Sequence, residues 1–405
     1  MPFFWTLDDV KVIGKRVLLR LDMNVPFSNG EILDETRLLR CIPTINELLL
    51  QNASIVIMSH RGRPGGKYDK NNSLEPVASR LSEILKREIT FLHNCVGEEI
   101  EQHVQQMQPK DIVVLENLRF HPGEELNDPI FSKQLAHLGD VFVNDAFSVS
   151  HRAHASIVGV AAYMQTAAGR LMEEEINALT QSLENPVSPV VAIVGGAKVS
   201  TKITVLENLV QKVDALVLGG GIANTFLFAQ GQYIGASLAE KSLVRECSLI
   251  LETAKVHGCE IILPVDASVA KNPKDVLSRS VKIIEDVSSH DMILDLGPKS
   301  WERTAALLDV AKTVVWKGPV GLFEVSPYDA TSMAIAKVLG DRTVKGELLS
   351  IAGGGETLAV LKKSGQLQRI SFASTAGGAF LEWLEGRKLP GVAVLYPEGN
   401  KKTCG

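Results

Sequence analysis

Cysteine is scarce in this sequence, and its arrangement argues against two kinds of site. The five cysteines are odd in number, lie far apart along the chain and form no C-x-x-C pair. A disulfide framework needs paired cysteines and a zinc site needs closely spaced ones, so the pattern favours a reducing compartment. We therefore expect a cytoplasmic protein. The cysteines are Cys41, Cys95, Cys247, Cys259 and Cys404.

The sequence also has no long apolar run and no targeting signal. Its longest uncharged stretch covers residues 153–169, carries Gln, Ser, Thr and His, and is shorter than the about 20 residues of a membrane-spanning helix. The opening MPFFWTLDDVK contains neither a basic region nor a small-residue cleavage site, so we expect no secretory signal. We expect no membrane partner.

Neither sign of charge dominates. The chain has 42 Lys plus Arg against 47 Asp plus Glu, a net charge of -5, which argues against a nucleic-acid binder that relies on overall charge. The basic loops also lack the interleaved aromatics that stack on bases. With 405 residues, of which 45% are hydrophobic, the chain is long enough for two or three domains.

Short β-branched runs alternate with glycine or basic loops and with longer segments of helical spacing, which predicts parallel βαβ units. The first set of runs lies at residues 15–22, 54–60, 111–117 and 140–145. The second set lies at residues 189–196, 214–221, 259–266, 312–319, 348–355 and 369–378. Ten strands in one open sheet would be unusually many, so two sheets are expected.

A helix with an apolar stripe separates the two sets of runs. Met172, Ile176, Leu179 and Leu183 recur at helical spacing before Asn-Pro ends the pattern. We therefore predict an α/β protein with two doubly wound, Rossmann-like domains with parallel sheets, joined by a hinge helix across a cleft. The predicted ranges are 1–168 for the first domain, 169–185 for the helix and 186–379 for the second domain.

Basic side chains follow each run of the first set. Ligands of open parallel sheets bind at the carboxyl ends of the strands. One arginine can donate two hydrogen bonds to the oxygens of a carboxylate or phosphate. This recurrence predicts a pocket for a small polyanion, whereas a single arginine there would more often be a surface ion-pair partner. The polar residues at these strand ends are Arg20, Asp22, Asn24, His60, Arg61, Arg63, Arg119, His121, His151, Arg152 and His154, and Arg37 lies a little after the first run.

Glycines follow the runs of the second set, which predicts a nucleotide-binding edge. They are Gly195, Gly196, Gly219, Gly220, Gly221, Gly318, Gly321, Gly353, Gly354, Gly355, Gly377 and Gly378. Glycine lets a backbone approach a phosphate and exposes the N–H groups of the following helix. Lys198 and Lys202 lie beside the predicted helix whose apolar stripe runs from Val199 to Val213. The loops contain neither a P-loop nor a strict dinucleotide fingerprint, which argues against a nicotinamide dehydrogenase. Each Gly-Gly pair alone is also consistent with a tight turn.

An acid-binding domain and a nucleotide-binding domain together indicate phosphoryl transfer, in which the protein positions the reactants and neutralises charge. A two-domain anion-binding protein is the alternative from another class. Such a protein would need neither the glycine loops nor Lys198 and Lys202, and it would not bind ADP.

The motifs resemble those of the phosphoglycerate kinase family, in order across almost the whole chain. They are RLDMNVP (20–26), SHRGRP (59–64), LENLRFHPGEE (115–125), SHRAHAS (150–156), VGGAKVSTKI (194–203), GGGIANTF (219–226), KGPVGLFE (317–324), GGGET (353–357) and LEGRKLPGV (384–392). The resemblance implies reversible transfer of the acyl phosphate of 1,3-bisphosphoglycerate to ADP with Mg²⁺, giving 3-phosphoglycerate and ATP in glycolysis. It also implies a monomer that closes about a hinge, with residues about 380–405 returning to the first domain.

The resemblance also assigns roles by position. Catalysis would fall to Arg37, Lys198, Lys202, Gly354 and Gly377. The phosphoglycerate would be bound by Asp22, Asn24, Arg37, His60, Arg63, Arg119, His151, Arg152 and His154. The nucleotide would be bound by Lys198, Lys202, Gly219, Gly220, Gly221, Gly297, Glu324, Gly353, Gly354, Gly355, Glu356 and Thr357, with Glu356 meeting the nucleotide-bound Mg²⁺.

Five positions on the nucleotide side depart from the commonest family pattern. Lys317 stands where the family usually has Asn and Glu356 where it usually has Asp, while Phe372, Ala376 and Thr201 also differ from many members. Lys317 adds a positive charge, and Glu356 reaches one methylene further than Asp. A weakened or non-catalytic family member is therefore a second alternative, which a turnover assay separates.

Overall fold

The computed structural model describes residues 4–28 and 30–397, so Cys404 and the predicted return of residues 398–405 lie outside the described residues. The chain divides into two compact units. The first contains the described residues up to Ile176 together with those from Lys388 onward, and the second contains Asn177–Arg387.

A six-stranded parallel sheet forms the centre of the first unit, with strand order β5-β6-β4-β1-β7-β8. The strands are β1 Arg16–Arg20, β2 Phe27–Ser28, β3 Glu31–Ile32, β4 Ser54–Met58, β5 Thr90–Leu92, β6 Ile112–Leu115, β7 Val141–Asn144 and β8 Thr166–Ala168; β2 and β3 form a small hairpin outside the sheet. The helices are α1 Thr36–Leu50, α2 Glu75–Leu85, α3 Glu98–Gln105, α4 Pro122–Glu125, α5 Pro129–Ala136 and α6 Arg170–Leu183.

Both faces of this sheet are buried, which explains the nearly continuous apolar runs of its central strands. Successive side chains of a strand point to opposite faces. In β1, Leu19 therefore packs in one core cluster and Leu18 in the other, together with Val56 and Phe142. The four runs of the first set each contain a strand of this sheet; β5 and β8, which are only three residues long, were not predicted.

The second unit also has a six-stranded parallel sheet, with strand order β11-β10-β9-β15-β16-β17. Its strands are β9 Val190–Val194, β10 Ala215–Leu218, β11 Glu260–Ile262, β12 Asp266–Ala270, β13 Ser280–Ile283, β14 Met292–Leu296, β15 Thr313–Lys317, β16 Leu349–Gly353 and β17 Phe372–Ser374. Its helices are α7 Ile203–Leu209, α8 Gly220–Ala229, α9 Val244–His257, α10 Pro298–Val310, α11 Ala330–Val344, α12 Gly355–Lys363 and α13 Gly377–Leu384; α14 Pro390–Ala393 belongs to the first unit.

All six runs of the second set contain strands of this sheet, so the predicted fold class of two parallel doubly wound units is confirmed. A three-stranded antiparallel sheet, β13-β12-β14, was not predicted. The run at residues 259–266 is not one strand, because β11 ends at Ile262 and Asp266 begins β12 in the other sheet.

The predicted linking helix is α6, and the division between the units falls within it, after Ile176. Met172, Ile176, Leu179 and Leu183 are all buried, as their spacing predicts. The helix begins against the first unit, where Asp145 Oδ1 accepts a hydrogen bond from the Met172 N–H at 2.9 Å.

Two predicted boundaries differ from the observed ones. The chain rejoins the first unit at Lys388 rather than near residue 380, because α13 packs on α7 within the second unit. The helix expected along the stripe from Val199 to Val213 is shorter, since α7 covers only Ile203–Leu209. In the described part of the chain, no helix is both long and apolar enough to cross a bilayer.

Candidate functional site

Asp22 and Arg37 form the best-defined contact at the carboxyl end of β1. Arg37 Nη1 lies 2.8 Å from Asp22 Oδ2 and 3.0 Å from the backbone oxygen of Asn24, to which it donates. Asp22 Oδ1 accepts from the Asn24 N–H, and Asp22 Oδ2 accepts from the Ser148 hydroxyl. The carboxylate thus orients an arginine that is still about one-third exposed (31%). The Arg37 guanidinium can therefore still meet an anion from solvent.

The loop after β4 is tied to the same place. Asn24 Oδ1 accepts from the Gly62 N–H at 3.1 Å, and the Gly62 carbonyl accepts from Arg119 Nη1 at 2.8 Å. These two bonds connect the loop after β1, the loop before Arg63 and the turn after β6. Burial lowers the pKa of Arg119 from its ordinary value, and the nearby charges of Arg152 and Arg63 act in the same direction. The predicted acid-binding arginines are thus close enough to repel one another.

His60 is buried and lies beside a second buried cation. Its Nδ1 is 3.2 Å from Arg20 Nη2. Burial lowers the pKa of His60 well below its ordinary value, and the charges of Arg20 and Arg119 lower it further. His60 is therefore a neutral imidazole at neutral pH. Because a guanidinium only donates, His60 Nδ1 accepts from Arg20, and the Nε2–H can donate one hydrogen bond without adding to the positive charge of the pocket.

Arg20 is fully buried, and its compensating carboxylate is Glu124, which the sequence analysis did not select. Arg20 Nε donates to Ser156 Oγ at 2.9 Å, and that hydroxyl donates to Glu124 Oε1 at 2.6 Å. Glu124 Oε1 also lies 3.7 Å from His154 Nδ1. Burial alone would raise the pKa of Glu124, but its contacts with His154 and Ser156 and the Arg20 charge outweigh burial, so the pKa is lowered.

His151, Arg152 and His154 follow β7 and complete the basic surface. Arg152 Nε donates to His151 Nε2 at 3.0 Å. Burial lowers the pKa of His151 to about 4, and the charge of Arg152 contributes. The structure therefore brings the predicted acid-binding residues together around the carboxyl ends of β1, β4, β6 and β7. We call this set of residues the basic pocket: Asp22, Asn24, Arg37, His60, Arg63, Arg119, His151, Arg152 and His154.

Most of the predicted glycines in the second unit are required by packing between loops. A Cβ atom on Gly195 would overlap the carbonyl oxygen of Pro319, and one on Gly219 would overlap Val320. Gly221 and Gly353 are equally crowded, by Ala197 and by the Phe380 ring. Gly220 has a positive φ of 64° and meets the backbone of Gly196. These close contacts account for the glycines without a ligand, and the positive φ of Gly220 is the feature that a tight turn would require.

Gly355 and Gly377 are different, because a Cβ atom on either would meet nothing within 4 Å. Gly355 is the first residue of α12 and Gly377 the first residue of α13. Unpaired N–H groups at a helix start attract anions. These two glycines are therefore the best placed of the predicted set to admit a phosphate close to the backbone.

Two lysine side chains, Lys317 and Lys202, lie near the start of α12. Burial lowers the pKa of Lys202, the residue before α7, while the charges of Glu356 and Glu385 oppose this change. Burial also lowers the pKa of Lys317 to about 8; the Lys202 charge adds to this, and the Glu356 charge opposes it. Lys198 lies exposed in the loop that leads to Lys202, rather than on the helix itself.

The remaining predicted nucleotide residues are more scattered. Glu324 is exposed in the loop after β15, while Gly297 caps the start of α10 and would overlap Asp266 if it carried a Cβ atom. The Thr357 hydroxyl is buried, donates to the Gly353 carbonyl at 3.0 Å and accepts from the Gly318 N–H at 2.8 Å. Thr357 therefore holds two loops together, and its hydroxyl hydrogen already has a partner.

A metal ion in this unit would have few protein ligands. In residues 4–28 and 30–397, no group of three or more His, Cys, Asp or Glu side chains could hold one. Glu356 is a single exposed carboxylate at the start of α12. One carboxylate combined with nucleotide phosphates is the usual way in which proteins hold Mg²⁺. The residues present fit a metal ion that arrives with the nucleotide.

The comparisons with known proteins all point to the same family. The family model described as phosphoglycerate kinase matches residues 7–387. The chain is 52% identical over 392 residues to a phosphoglycerate kinase of Rhodopseudomonas palustris, covering 97% of this chain and 98% of that protein. It is 51% identical over 395 residues to one of Xanthobacter autotrophicus, covering 98% of this chain and 100% of the relative.

Solved structures agree with the sequence comparison. A phosphoglycerate kinase from Coxiella burnetii matches with a TM-score of 0.91 at 42% identity, covering 98% of this chain and 100% of that one. The enzyme from Pyrococcus horikoshii matches with a TM-score of 0.80 at 29% identity, covering 96% of this chain and 98% of the other.

Proposed function

Since the chain belongs to the phosphoglycerate kinase family, it transfers the acyl phosphate of 1,3-bisphosphoglycerate to ADP in glycolysis, and we propose that its basic pocket binds the acid. The reaction is reversible, gives 3-phosphoglycerate and ATP, and uses a carboxyl group as phosphoryl acceptor in the other direction. The contact between Arg37 and Asp22 is the observation that best supports this placement.

The basic pocket offers several kinds of contact to 3-phosphoglycerate. Its arginines supply paired N–H donors for phosphate and carboxylate oxygens. The low pKa values of His60 and His151 make both imidazoles neutral, so they contribute hydrogen bonds rather than charge. Arg37 is held by Asp22 and is still partly exposed, which suits it to the charge that develops on the moving phosphoryl group.

The second unit would bind the nucleotide phosphates at the start of α12. Open glycine backbone at Gly355 and Gly377, and the ammonium group of Lys202, which interacts with Glu356, support this assignment. Lys198 is assigned to the nucleotide by the family resemblance. Glu356 would contact Mg²⁺, which when bound would neutralise phosphate charge. Glu324 and Gly297 are proposed for the nucleoside part, and Gly354 and Gly377 for phosphoryl transfer.

Direct in-line transfer requires little covalent work from the protein, since charge stabilisation and positioning lower the barrier. The side chains that we assign to it are Arg37, Lys198 and Lys202. We also propose that the enzyme is a cytoplasmic monomer that closes about α6 to bring the substrates together, which sedimentation and scattering with and without both substrates would test.

The experiment that tests the activity is ATP formation from 1,3-bisphosphoglycerate and ADP with Mg²⁺. Turnover that disappears on chelation of Mg²⁺ and returns on its addition is the expected result. A folded protein that binds both ligands without turnover would instead support the weakened or non-catalytic alternative. A protein that binds an anion and no ADP would support the anion-binding alternative.

A further inference from the structure

Lys317 is a cation that the sequence pattern of the family does not lead one to expect at the end of β15. The residue pairs with Val194 in the centre of the sheet, and its carbonyl accepts from the Gly195 N–H at 3.0 Å. Its backbone position is therefore fixed by pairing with the end of β9. The side chain is only partly exposed, so the ammonium group is held near the protein rather than free in solvent.

The Lys317 ammonium lies at the start of α12. Gly354 precedes this helix with a φ of 97°, and a Cβ atom there would overlap Lys317 Nζ. The same nitrogen is 5.9 Å from the centroid of the Phe380 ring on α13. The open backbone of Gly355 follows directly. Lys317 Nζ thus occupies the gap in which a group approaching the first N–H groups of α12 would arrive.

Two ammonium groups, of Lys317 and Lys202, and two carboxylates, of Glu356 and Glu385, act on one another around this gap. Lys202 is near enough to lower the pKa of Lys317, and the start of a helix carries a partial positive charge. Glu356 is the opposing carboxylate at this point, but it is exposed and water screens its charge, while Glu385 acts on Lys202. Two ammonium groups beside a helix start repel one another, and an anion bound between them removes this repulsion.

We propose that Lys317 Nζ binds a phosphate oxygen of the nucleotide, as a positioning cation for ADP in addition to Lys198 and Lys202. This inference rests on the proposed function of the second unit. The ligand class is a nucleoside di- or triphosphate, since the open glycine backbone and the ammonium groups favour phosphate. The alternative is that Lys317 is a structural lysine that only compensates the charge of Glu356.

The test compares ADP with adenosine, because only ADP carries the phosphates. Lys317→Met removes the charge and keeps most of the side-chain volume, and calorimetry would measure the affinity of each ligand. The expected result is an at least tenfold weaker Kd for ADP with less than a twofold change for adenosine. The KM for ADP should rise while the KM for 3-phosphoglycerate stays within twofold.

Lys345→Met is the matched control, because Lys345 is an exposed lysine of the same unit that precedes β16 and so lies near the amino end of the sheet. The Lys345→Met variant should bind ADP and adenosine with the same affinity as the unaltered protein. Should Lys317→Met unfold in a thermal melt, Lys317→Asn replaces it, since that residue is usual at this position in the family.

Equal losses for ADP and adenosine, or no loss for ADP, would overturn the assignment of Lys317 and leave it as a structural lysine. The unaltered protein distinguishes this result from failure of the proposed function. If it neither binds ADP nor turns over, the proposed function fails. If the unaltered protein binds ADP and turns over, and the Lys317 variant has the same affinity for ADP, only the assignment of Lys317 to a nucleotide phosphate fails.

Discussion

Arg37 Nη1 and Asp22 Oδ2 are 2.8 Å apart, and this ion pair connects the first turn of α1 to the loop after β1. The same carboxylate is buried and accepts hydrogen bonds from Ser148 and from the Asn24 N–H. A carboxylate with three partners is a rigid support. It fixes where the Arg37 charge stands before substrate binds, and preorganised charge is the largest contribution in many enzymes.

Arg37→Ala should lower kcat by two to three orders of magnitude, because one preorganised charge is worth about 3 kcal/mol or more in the transition state. Steady-state kinetics in the direction of ATP formation measure this. The control is Arg16→Ala at the other end of β1, where Arg16 pairs with Asp140 at 3.5 Å. An Arg37 variant with the kcat of the control would show that its role is misassigned.

Asp22→Asn should lower kcat through Arg37 rather than directly. The substitution keeps the shape and removes the charge that orients the guanidinium, so the Arg37→Ala and Asp22→Asn effects should not add. We expect the double variant to be about as slow as Arg37→Ala alone. Additive losses in kcat would indicate that the two residues act independently.

Glu124→Gln should reduce the free energy of unfolding by about 3 kcal/mol, because it removes the larger of the two negative charges that compensate the buried Arg20 guanidinium and leaves only that of Asp22. Denaturant unfolding measures the change. Glu125→Gln is the matched control, since Glu125 is exposed and pairs with Arg119 at 3.3 Å. Its cost should be below about 1 kcal/mol. Equal costs for both variants would contradict the compensating role of Glu124.

The comparison of Glu124 with Arg37 shows what the sequence could predict. Arg37 was selected because arginines recur after parallel strands, and strand ends can be read from local apolar runs. Glu124 follows Pro-Gly, where a carboxylate usually caps a helix in solvent. Its burial depends on Arg20 and Ser156, which are distant in sequence, and no local pattern encodes such a contact.

In the folds of the two units, too, the features that local sequence patterns encode could be predicted, and those that depend on distant residues could not. Runs rich in Val, Ile and Leu predicted the central strands because both faces of each parallel sheet are buried. In the antiparallel sheet, β13 is largely exposed, so no continuous apolar run marks it. The glycine positions were predicted, but whether a glycine admits a ligand or a neighbouring loop depends on atoms far along the chain, as at Gly195 and Gly355.

His60 and His151 should remain neutral from pH 8 down to pH 6.5, the ordinary pKa of histidine. Burial and neighbouring arginines lower the pKa of both, to about 4 for His151. The imidazole proton shifts of both residues in NMR should therefore stay constant over this range. Assignment follows from His60→Gln and His151→Gln. A His60 signal that moves near pH 6.5 would contradict the neutral assignment.

Asp291 should make the second unit sensitive to acid. Burial alone would raise its pKa, but the Lys282 ammonium at 2.7 Å and hydrogen bonds from Ser288 outweigh burial and lower the pKa to about 2 from 3.8. A folded-state pKa below the unfolded value means that the stabilisation is present above pH 3.8 and is lost as pH falls towards 2.

Asp291→Asn should therefore reduce the free energy of unfolding at pH 7 by about 1 kcal/mol, a modest figure because water partly screens Lys282. The difference between the variant and the unaltered protein should shrink steadily as pH falls from 4 to 2. Asp286→Asn is the control, since Asp286 is exposed beside the same sheet. Because that carboxylate forms no ion pair with the residues that the structure describes, its substitution should change stability by less than about 0.5 kcal/mol at either pH. An Asp291 difference that stays constant with pH would show that the Lys282 ion pair does not stabilise the folded state.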